Sequence, residues 1–357
     1  MIKGHGGNVH DLALRLGCEI SDITDMSSNL NPLGPPAGLN EHLKRNLDKI
    51  LALPEVDAGN ICDKFAKKYD LDRERIIAGN GTTQLIYLIP RALESKRSLI
   101  VAPTYSDYAD SCKMNGTDFE YYYLKEEDKF NLNMEDLKRS LDGFDTIYIC
   151  NPNNPTGSLI PTETLVDICN SYPDKYFIID ESYLPFVDNL KNISIKSYKL
   201  KNVIVLNSMS KIYRIPGLRI GFLIADEKVI EKFNNFLLPW SVNGLAYCAV
   251  EFLIDSNDTD GFEESSRIFF KEEISLFLDQ FKDIEDFEFF PASTYFIIAR
   301  TKRFIADELC EYLKKQKILI RDCSNFKGLS ENFVRFSLKK RDTNLELCTH
   351  IKNFLRK

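Results

Sequence analysis

The sequence predicts an α/β fold: a mostly parallel central sheet with helices on both faces, followed by a smaller α+β C-terminal domain. Three observations carry this. From about residue 74, short apolar runs alternate with amphipathic stretches, the pattern of a parallel sheet with crossover helices. After Trp240 the texture shifts to longer helices and then a few strands. Gly6, Gly7, Pro32, Gly34, Pro35 and Pro36 mark the start of the chain as an arm and loops laid over the rest. The expected divisions are an arm over 1–35 that packs on the functional site, a large domain over 36–240 and a small one over 241–357.

Within the alternating region, the expected strands are Arg75 to Ala78, Ser98 to Ala102, Phe119 to Tyr123, Thr146 to Cys150, Tyr176 to Asp180, Val203 to Leu206 and Arg219 to Ile224. Their β-branched and aromatic residues suit a buried pleated surface. Helical spacing runs over Thr82 to Leu93, Ser106 to Met114, Met134 to Leu141 and Pro161 to Ser171, several of them opening on a Thr, Ser or Pro start signal. Beyond Trp240, helices are expected near Gly244 to Asp255 and Gly261 to Asp283. Strands follow near Tyr295 to Ala299, Ile318 to Ile320 and Phe333 to Leu338, with a closing helix near Thr343 to Leu355.

Composition narrows the partners. Lysine and arginine total 46 against 53 acidic residues, a net charge of -7, so no broad cationic field exists for nucleic acid or an anionic membrane. An anionic ligand must therefore meet a local basic pocket. Nine cysteines without a C-x-x-C pair or zinc-like spacing read as scattered core thiols in a reducing compartment, with no metal site. Met1 to Gly7 has no apolar stretch and no later run approaches the ~20 residues of a membrane span. A cytoplasmic protein is expected.

One constellation carries chemistry. Ser208-Met209-Ser210-Lys211 follows the run Val203 to Leu206, which places a lysine and two hydroxyls at the edge where open α/β sheets bind ligands. Arg219, after Pro216 and Gly217, can fold back beside the hydroxyls to neutralise a phosphate. A Schiff-base lysine with a Ser, Ser, Arg phosphate set describes a pyridoxal-phosphate pocket. Taken alone, Ser-x-Ser-Lys is also an ordinary solvated loop. Asp180 ends an apolar strand, where a carboxylate needs a cationic partner such as a protonated pyridine nitrogen; a helix N-cap is the competing role. Asn151-Pro152-Asn153-Asn154-Pro155-Thr156-Gly157 forms a fixed turn that can aim Asn154 at the cofactor's phenolic oxygen, or is simply a turn. Gly79-Asn80-Gly81-Thr82-Thr83 opens a helix, so the N–H groups of Gly81 and Thr82 can bind phosphate or merely cap the helix. Tyr105, in Pro103-Thr104-Tyr105, can stack on a ring or belong to the core.

Together and in this order, these elements resemble the aspartate aminotransferase superfamily, fold type I of the pyridoxal-phosphate enzymes. The resemblance implies that Lys211 carries the cofactor, Asp180 holds its pyridinium nitrogen, Asn154 and Tyr183 contact its phenolic oxygen and Tyr105 stacks on its ring. Gly81, Thr82, Ser208, Ser210 and Arg219 then hold its phosphate, and 36–240 is the pyridoxal-phosphate-binding domain. Homodimers are usual in that superfamily.

Within it the chain is similar, nearly end to end, to the threonine-phosphate decarboxylases of cobalamin biosynthesis, relatives of the histidinol-phosphate aminotransferases. His5-Gly6-Gly7-Asn8, Ser28-Asn29-Leu30-Asn31-Pro32-Leu33-Gly34, Leu238-Pro239-Trp240-Ser241-Val242-Asn243 and Ile320-Arg321-Asp322-Cys323-Ser324-Asn325-Phe326 carry this similarity. It implies decarboxylation of O-phospho-L-threonine or O-phospho-L-serine, with aminotransfer of the histidinol-phosphate type as the alternative. Arg335, helped by Asn29, would clamp the substrate carboxylate, while Arg321 and His5 would meet its phosphate. Two positions depart from the family. Leu53 stands where a tyrosine usually reaches the neighbouring subunit's cofactor phosphate, and Thr294-Tyr295 lacks the expected asparagine.

Overall fold

The computed structural model describes residues 7–187, 194–256 and 258–356. In chain order, its strands are β1 (Thr24–Asp25), β2 (Ile76–Asn80), β3 (Arg97–Ala102), β4 (Asp118–Tyr123), β5 (Thr146–Cys150), β6 (Tyr176–Asp180), β7 (Val203–Ser208) and β8 (Ile220–Ile224). They continue with β9 (Phe287–Phe289), β10 (Phe296–Thr301), β11 (Ile318–Leu319), β12 (Arg321–Asp322) and β13 (Phe333–Ser337). Seven of them form one sheet in the order β2-β8-β7-β6-β5-β3-β4. The pairs from β7 through to β4 are parallel, whereas β8 runs antiparallel to both β2 and β7. The fold is the α/β class that the apolar alternation predicts.

Burial on both faces explains why these strands read as near-continuous apolar runs. Alternate residues serve different cores: Leu99, Ile147, Ile149, Phe177, Ile179, Val203 and Val205 join one cluster, while Ile100, Tyr148, Ile178, Ile204 and Leu206 join the other. The helices Gly81–Leu93 and Asp107–Asn115 cover the second face, through Leu85, Ile86, Ile89, Tyr108 and Cys112.

A four-stranded antiparallel sheet, β12-β13-β10-β9, comes from the last third of the chain and packs on the helices Asp258–Asp279, Ala306–Lys314 and Arg341–Leu355. Here β13 is an inner strand, so Arg335 is flanked on both sides, by Ile298 of β10 and Arg321 of β12. The pair β1 and β11 ties residues 24–25 to the same region.

Several expectations are corrected. The first 35 residues are not only arm and loops: Val9–Leu16 is a helix, opened by the Asn8 side chain accepting from Asp11 N and closed by Gly17 at φ 62°. Arg219 is not the first residue of a strand. It sits at φ 54°, in the left-handed region that β-branched and bulky residues avoid, and β8 begins at Ile220. The helix expected from Gly261 spans Asp258–Asp279 instead. Leu39–Arg45, Gly59–Tyr69, Glu227–Asn234 and Ala306–Lys314 are further helices that the periodicity alone had not marked. All nine cysteines are free thiols, with Cys18 alone partly exposed. Among the described residues, no helix is long and apolar enough to cross a membrane.

Candidate active site

The candidate residues converge because five parallel-running strands end at one edge of the large sheet and β8 begins there. Gly81 follows β2, Tyr105 follows β3, Asn154 follows β5, Asp180 ends β6, Lys211 follows β7 and Arg219 immediately precedes β8. Arg335 arrives from β13 of the other sheet. A cavity of about 600 Å³ opens among them, and Asn29, Tyr105, Asn154, Tyr183, Lys211, Arg321 and Arg335 line its wall. Asp180, Gly81, Thr82, Ser208, Ser210 and Arg219 are at the same sheet edge but outside that wall. His5 lies outside the described residues.

The outer group brings small residues, N–H groups and one cation together at the sheet edge. Arg219 donates to Thr83 Oγ1 at 3.4 Å and to the Pro216 carbonyl at 3.3 Å. Gly81, at φ +71°, faces that guanidinium so closely that a Cβ would stand 2.7 Å from Nη2. A Cβ on Gly221 would stand 2.7 Å from Thr82 N, and Gly221 pairs in register with Ser208. The left-handed Arg219 is thus an observed strain that turns its side chain to the mouth of the helix beginning at Gly81. Ser208 and Ser210 are buried, and Ser210 N donates to Ser208 Oγ at 3.3 Å.

Asp180 is buried and accepts from Tyr108 Oη at Oδ2, 2.7 Å, and from Ser182 N at Oδ1, 2.9 Å. Burial raises its pKa above the ordinary carboxylate value, and the bonds from Ser182 and Tyr108 and the Lys211 charge only partly offset this. A cation beside it would complete that compensation. Lys211 moves the other way. Burial, then the positive charges of Arg335 and Arg219, lower its pKa to about 8, so far more of it is neutral amine at neutral pH than of an ordinary lysine. Tyr183 is pushed up to about 12, chiefly by burial, and so keeps its proton.

Arg335 is 4% exposed, and among the described residues its guanidinium has no carboxylate partner. It donates to Asn154 Oδ1 and to the Ser27 carbonyl, while its buried Nε has no partner among the described residues. A desolvated cation with spare donors calls for an anionic ligand. Asn154 therefore offers its carbonyl to Arg335, leaving its Nδ2 to donate elsewhere. Asn29 donates from Nδ2 to Tyr183 Oη at 3.3 Å, and its buried Oδ1 has no partner among the described residues. Arg321 lies across the strand pair from Arg335, donating to Asn325 Oδ1 at 2.7 Å with its guanidinium 5.0 Å from the centre of the Phe326 ring. Tyr105 is half-buried and edge-on to Tyr108, with ring centres 5.8 Å apart.

Sequence reasoning missed Tyr108, Thr83 and Ser27. Tyr108 has a faint signal, an aromatic on the inward face of a helix that follows β3. Ser27 contributes a backbone carbonyl, which no residue type announces.

The fold and this site define a class. The family described as Aminotransferase class I and II matches residues 21–351, and the chain belongs to it. Within that family, it is similar to the threonine-phosphate decarboxylase of Salmonella typhimurium, 30% identical over 358 residues that cover 99% of this chain and 97% of the other. It is 32% identical to the adenosylcobalamin biosynthesis bifunctional protein CobDQ of Leptospira interrogans, of which it spans 41% of the length. The histidinol-phosphate aminotransferase of Methanocaldococcus jannaschii is 30% identical, over 93% of this chain and 89% of its own. The crystal structure of L-threonine-O-3-phosphate decarboxylase from Porphyromonas gingivalis superposes with a TM-score of 0.85 at 31% identity, covering 94% of this chain and all of that one.

Enzymes of this family work with pyridoxal 5'-phosphate, and the residues present fit that group. The Gly81 and Gly221 cradle suits its phosphate, the buried Asp180 carboxyl suits its pyridinium, and the depressed Lys211 suits its aldehyde.

Proposed function

We propose that this chain is a pyridoxal-phosphate-dependent carboxy-lyase acting on O-phospho-L-threonine or O-phospho-L-serine. The products would be aminopropanol phosphate or ethanolamine phosphate, for synthesis of the cobamide nucleotide loop. The observation that carries the reading is the register pair Arg321 and Arg335, two guanidiniums on adjacent strands that line one cavity with Lys211. Two cations in one small cavity suit a ligand with two anionic ends, and a phosphorylated amino acid has a carboxylate and a phosphate. The similarity to threonine-phosphate decarboxylases over nearly the whole chain supports the same substrate class.

In this reading Gly81, Thr82, Ser208, Ser210 and Arg219 hold the cofactor phosphate, Asp180 pairs with the ring nitrogen, and Tyr105 and Tyr183 bound the ring. Bound there, pyridoxal phosphate supplies an electron sink for the pair left on Cα when CO2 departs. Arg335 takes the substrate carboxylate with its spare donors and fixes the direction of the bond to be broken. Arg321 takes the phosphate. After CO2 leaves, the Lys211 ammonium returns a proton to Cα, with Tyr183 as the second protonated group at hand. The substrates differ by one methyl, worth only about 1 to 3 kcal/mol to a pocket.

The aminotransferase relative favours a second reading, in which the same residues break Cα–H instead. Incubation with each phosphorylated amino acid, and separately with histidinol phosphate and 2-oxoglutarate, decides between them. Released CO2 with an equal amount of amine phosphate is the expected outcome; stoichiometric glutamate without CO2 would establish aminotransfer.

The protein also assembles as a homodimer in this proposal. Leu47, Ile50, Leu51, Leu53 and Val56 are 53%, 61%, 81%, 74% and 58% exposed, and Leu238 and Trp240 are 68% and 47% exposed. Trp240 N donates to the Val56 carbonyl at 2.9 Å, which joins the two segments into one apolar patch. Leu53, the departure from the family tyrosine, belongs to this patch. Sedimentation should give a mass near twice 41.1 kDa, and Leu51→Asp should lower it toward a single chain; a wild-type monomer removes the dimer.

A further inference from the structure

The segment Ser27–Asn29 lines the cavity without belonging to a helix or strand, and Arg335, Tyr183 and Lys339 each bond to it. Arg335 donates to the Ser27 carbonyl, Asn29 Nδ2 donates to Tyr183 Oη, and Lys339 Nζ donates to the Ser28 carbonyl at 3.0 Å. Something must fix these three peptides in space, because a carbonyl that drifts takes the guanidinium with it. One carboxylate oxygen does so. Asp25 Oδ1 accepts from Ser27 N at 2.9 Å, from Ser27 Oγ at 2.7 Å and from Ser28 N at 3.1 Å. Ser27 Oγ in turn accepts from Gly7 N at 2.8 Å, which brings the start of the described chain onto the same hub. Gly7 is at φ +80°, and a Cβ there would stand 2.3 Å from Ser28 Oγ, so the contact tolerates only glycine.

Asp25 is itself well anchored. It ends β1, in register with Leu319 of β11, and the next residue, Met26, donates to the Leu319 carbonyl at 2.8 Å. Ser337 N, two residues beyond Arg335 on β13, donates to the Met26 carbonyl at 2.9 Å. The Asp25 carboxylate therefore joins the strand that carries Arg335 to the loop that holds Arg335's far side. Its ionised form is the stable one there: burial works against it, but the bonds from Ser28 and Ser27 and the Lys339 charge outweigh this and lower its pKa.

The geometry points to Asp25 as the positioning residue that sets the substrate-carboxylate clamp, by holding the Ser27 carbonyl against Arg335 and the Asn29 amide against Tyr183. This rests on the reading of Arg335 as the carboxylate-binding group. Asp25 itself touches neither substrate nor cofactor in this account. Since all three bonds converge on Oδ1, an acceptor in that place does the positioning, and the charge adds an attraction to Lys339.

The contrast between Asp25→Ala and Asp25→Asn in the holoenzyme tests this. Asparagine can present its carbonyl oxygen to the same three donors, whereas alanine presents none. Asp25→Ala should raise KM for the phosphorylated amino acid about tenfold, the loss expected from one or two misplaced hydrogen bonds, with kcat changed less and cofactor absorbance unchanged. Hydrogen exchange at the amides of residues 27–29 should quicken in the same variant. Asp25→Asn should restore both readouts. If alanine fails to fold, Asp25→Glu shifts the acceptor by one methylene while keeping the charge, and should behave as alanine is predicted to. Unchanged KM and exchange in the alanine or glutamate variant would overturn the assignment, as would an asparagine variant as impaired as alanine. Exchange needs no turnover, so a wild-type protein that released no CO2 would remove the decarboxylase reading while leaving this comparison to decide Asp25.

Discussion

Lys211→Ala is expected to yield a folded protein that binds pyridoxal phosphate without the visible absorbance of a lysine-bound cofactor and releases essentially no CO2. Two losses combine. The covalent hold on the cofactor goes, and so does the group that returns a proton to Cα; acid–base transfer alone contributes about 10² to 10⁴-fold. Lys211 is suited to both tasks by the same surroundings: burial and the nearby Arg335 and Arg219 bring its pKa to about 8, so it passes between amine and ammonium near neutral pH. Absorbance and gas release, measured side by side, check the prediction. A variant that kept both would place the covalent site elsewhere.

Arg335→Ala should leave the absorbance intact and damage substrate handling. Removing one partner of a buried charge pair costs about 3 to 5 kcal/mol, so kcat/KM should fall roughly a hundred- to several-thousand-fold. Arg335→Lys should rescue little. An ammonium cannot reproduce a planar fork that donates to Asn154 Oδ1 and the Ser27 carbonyl while keeping donors for a carboxylate. Unchanged kcat/KM in the alanine variant would remove Arg335 from substrate binding.

Much of the fold is readable in the sequence where burial leaves no ambiguity. The strands Thr146–Cys150 and Tyr176–Asp180 are apolar on both faces, and their limits fall where the apolar runs end. Lys211 and Asp180 are readable for a related reason: a charged residue at the end of such a run must be at the ligand-binding edge of the sheet. The first helix, Val9–Leu16, was hidden by the glycines before it, although Asn8 and Gly17 are its cap signals. Contacts between distant segments leave no such trace. Tyr108 reaches Asp180 across 72 positions, and Ser27 reaches Arg335 across 308, the latter through a carbonyl that every residue possesses. Arg219 was expected in an extended strand because its neighbours are apolar; the need to face Gly81 holds it in the left-handed region instead.

The central claim is that the Lys211 amine is the covalent anchor for a vitamin B6 aldehyde at the edge of the large sheet. Borohydride reduction of the cofactor-loaded protein, followed by peptide mass mapping, tests it most directly. The account predicts a single stable pyridoxyl adduct on the peptide containing residue 211; an adduct confined to another lysine, or none on a protein that binds the vitamin, would contradict it.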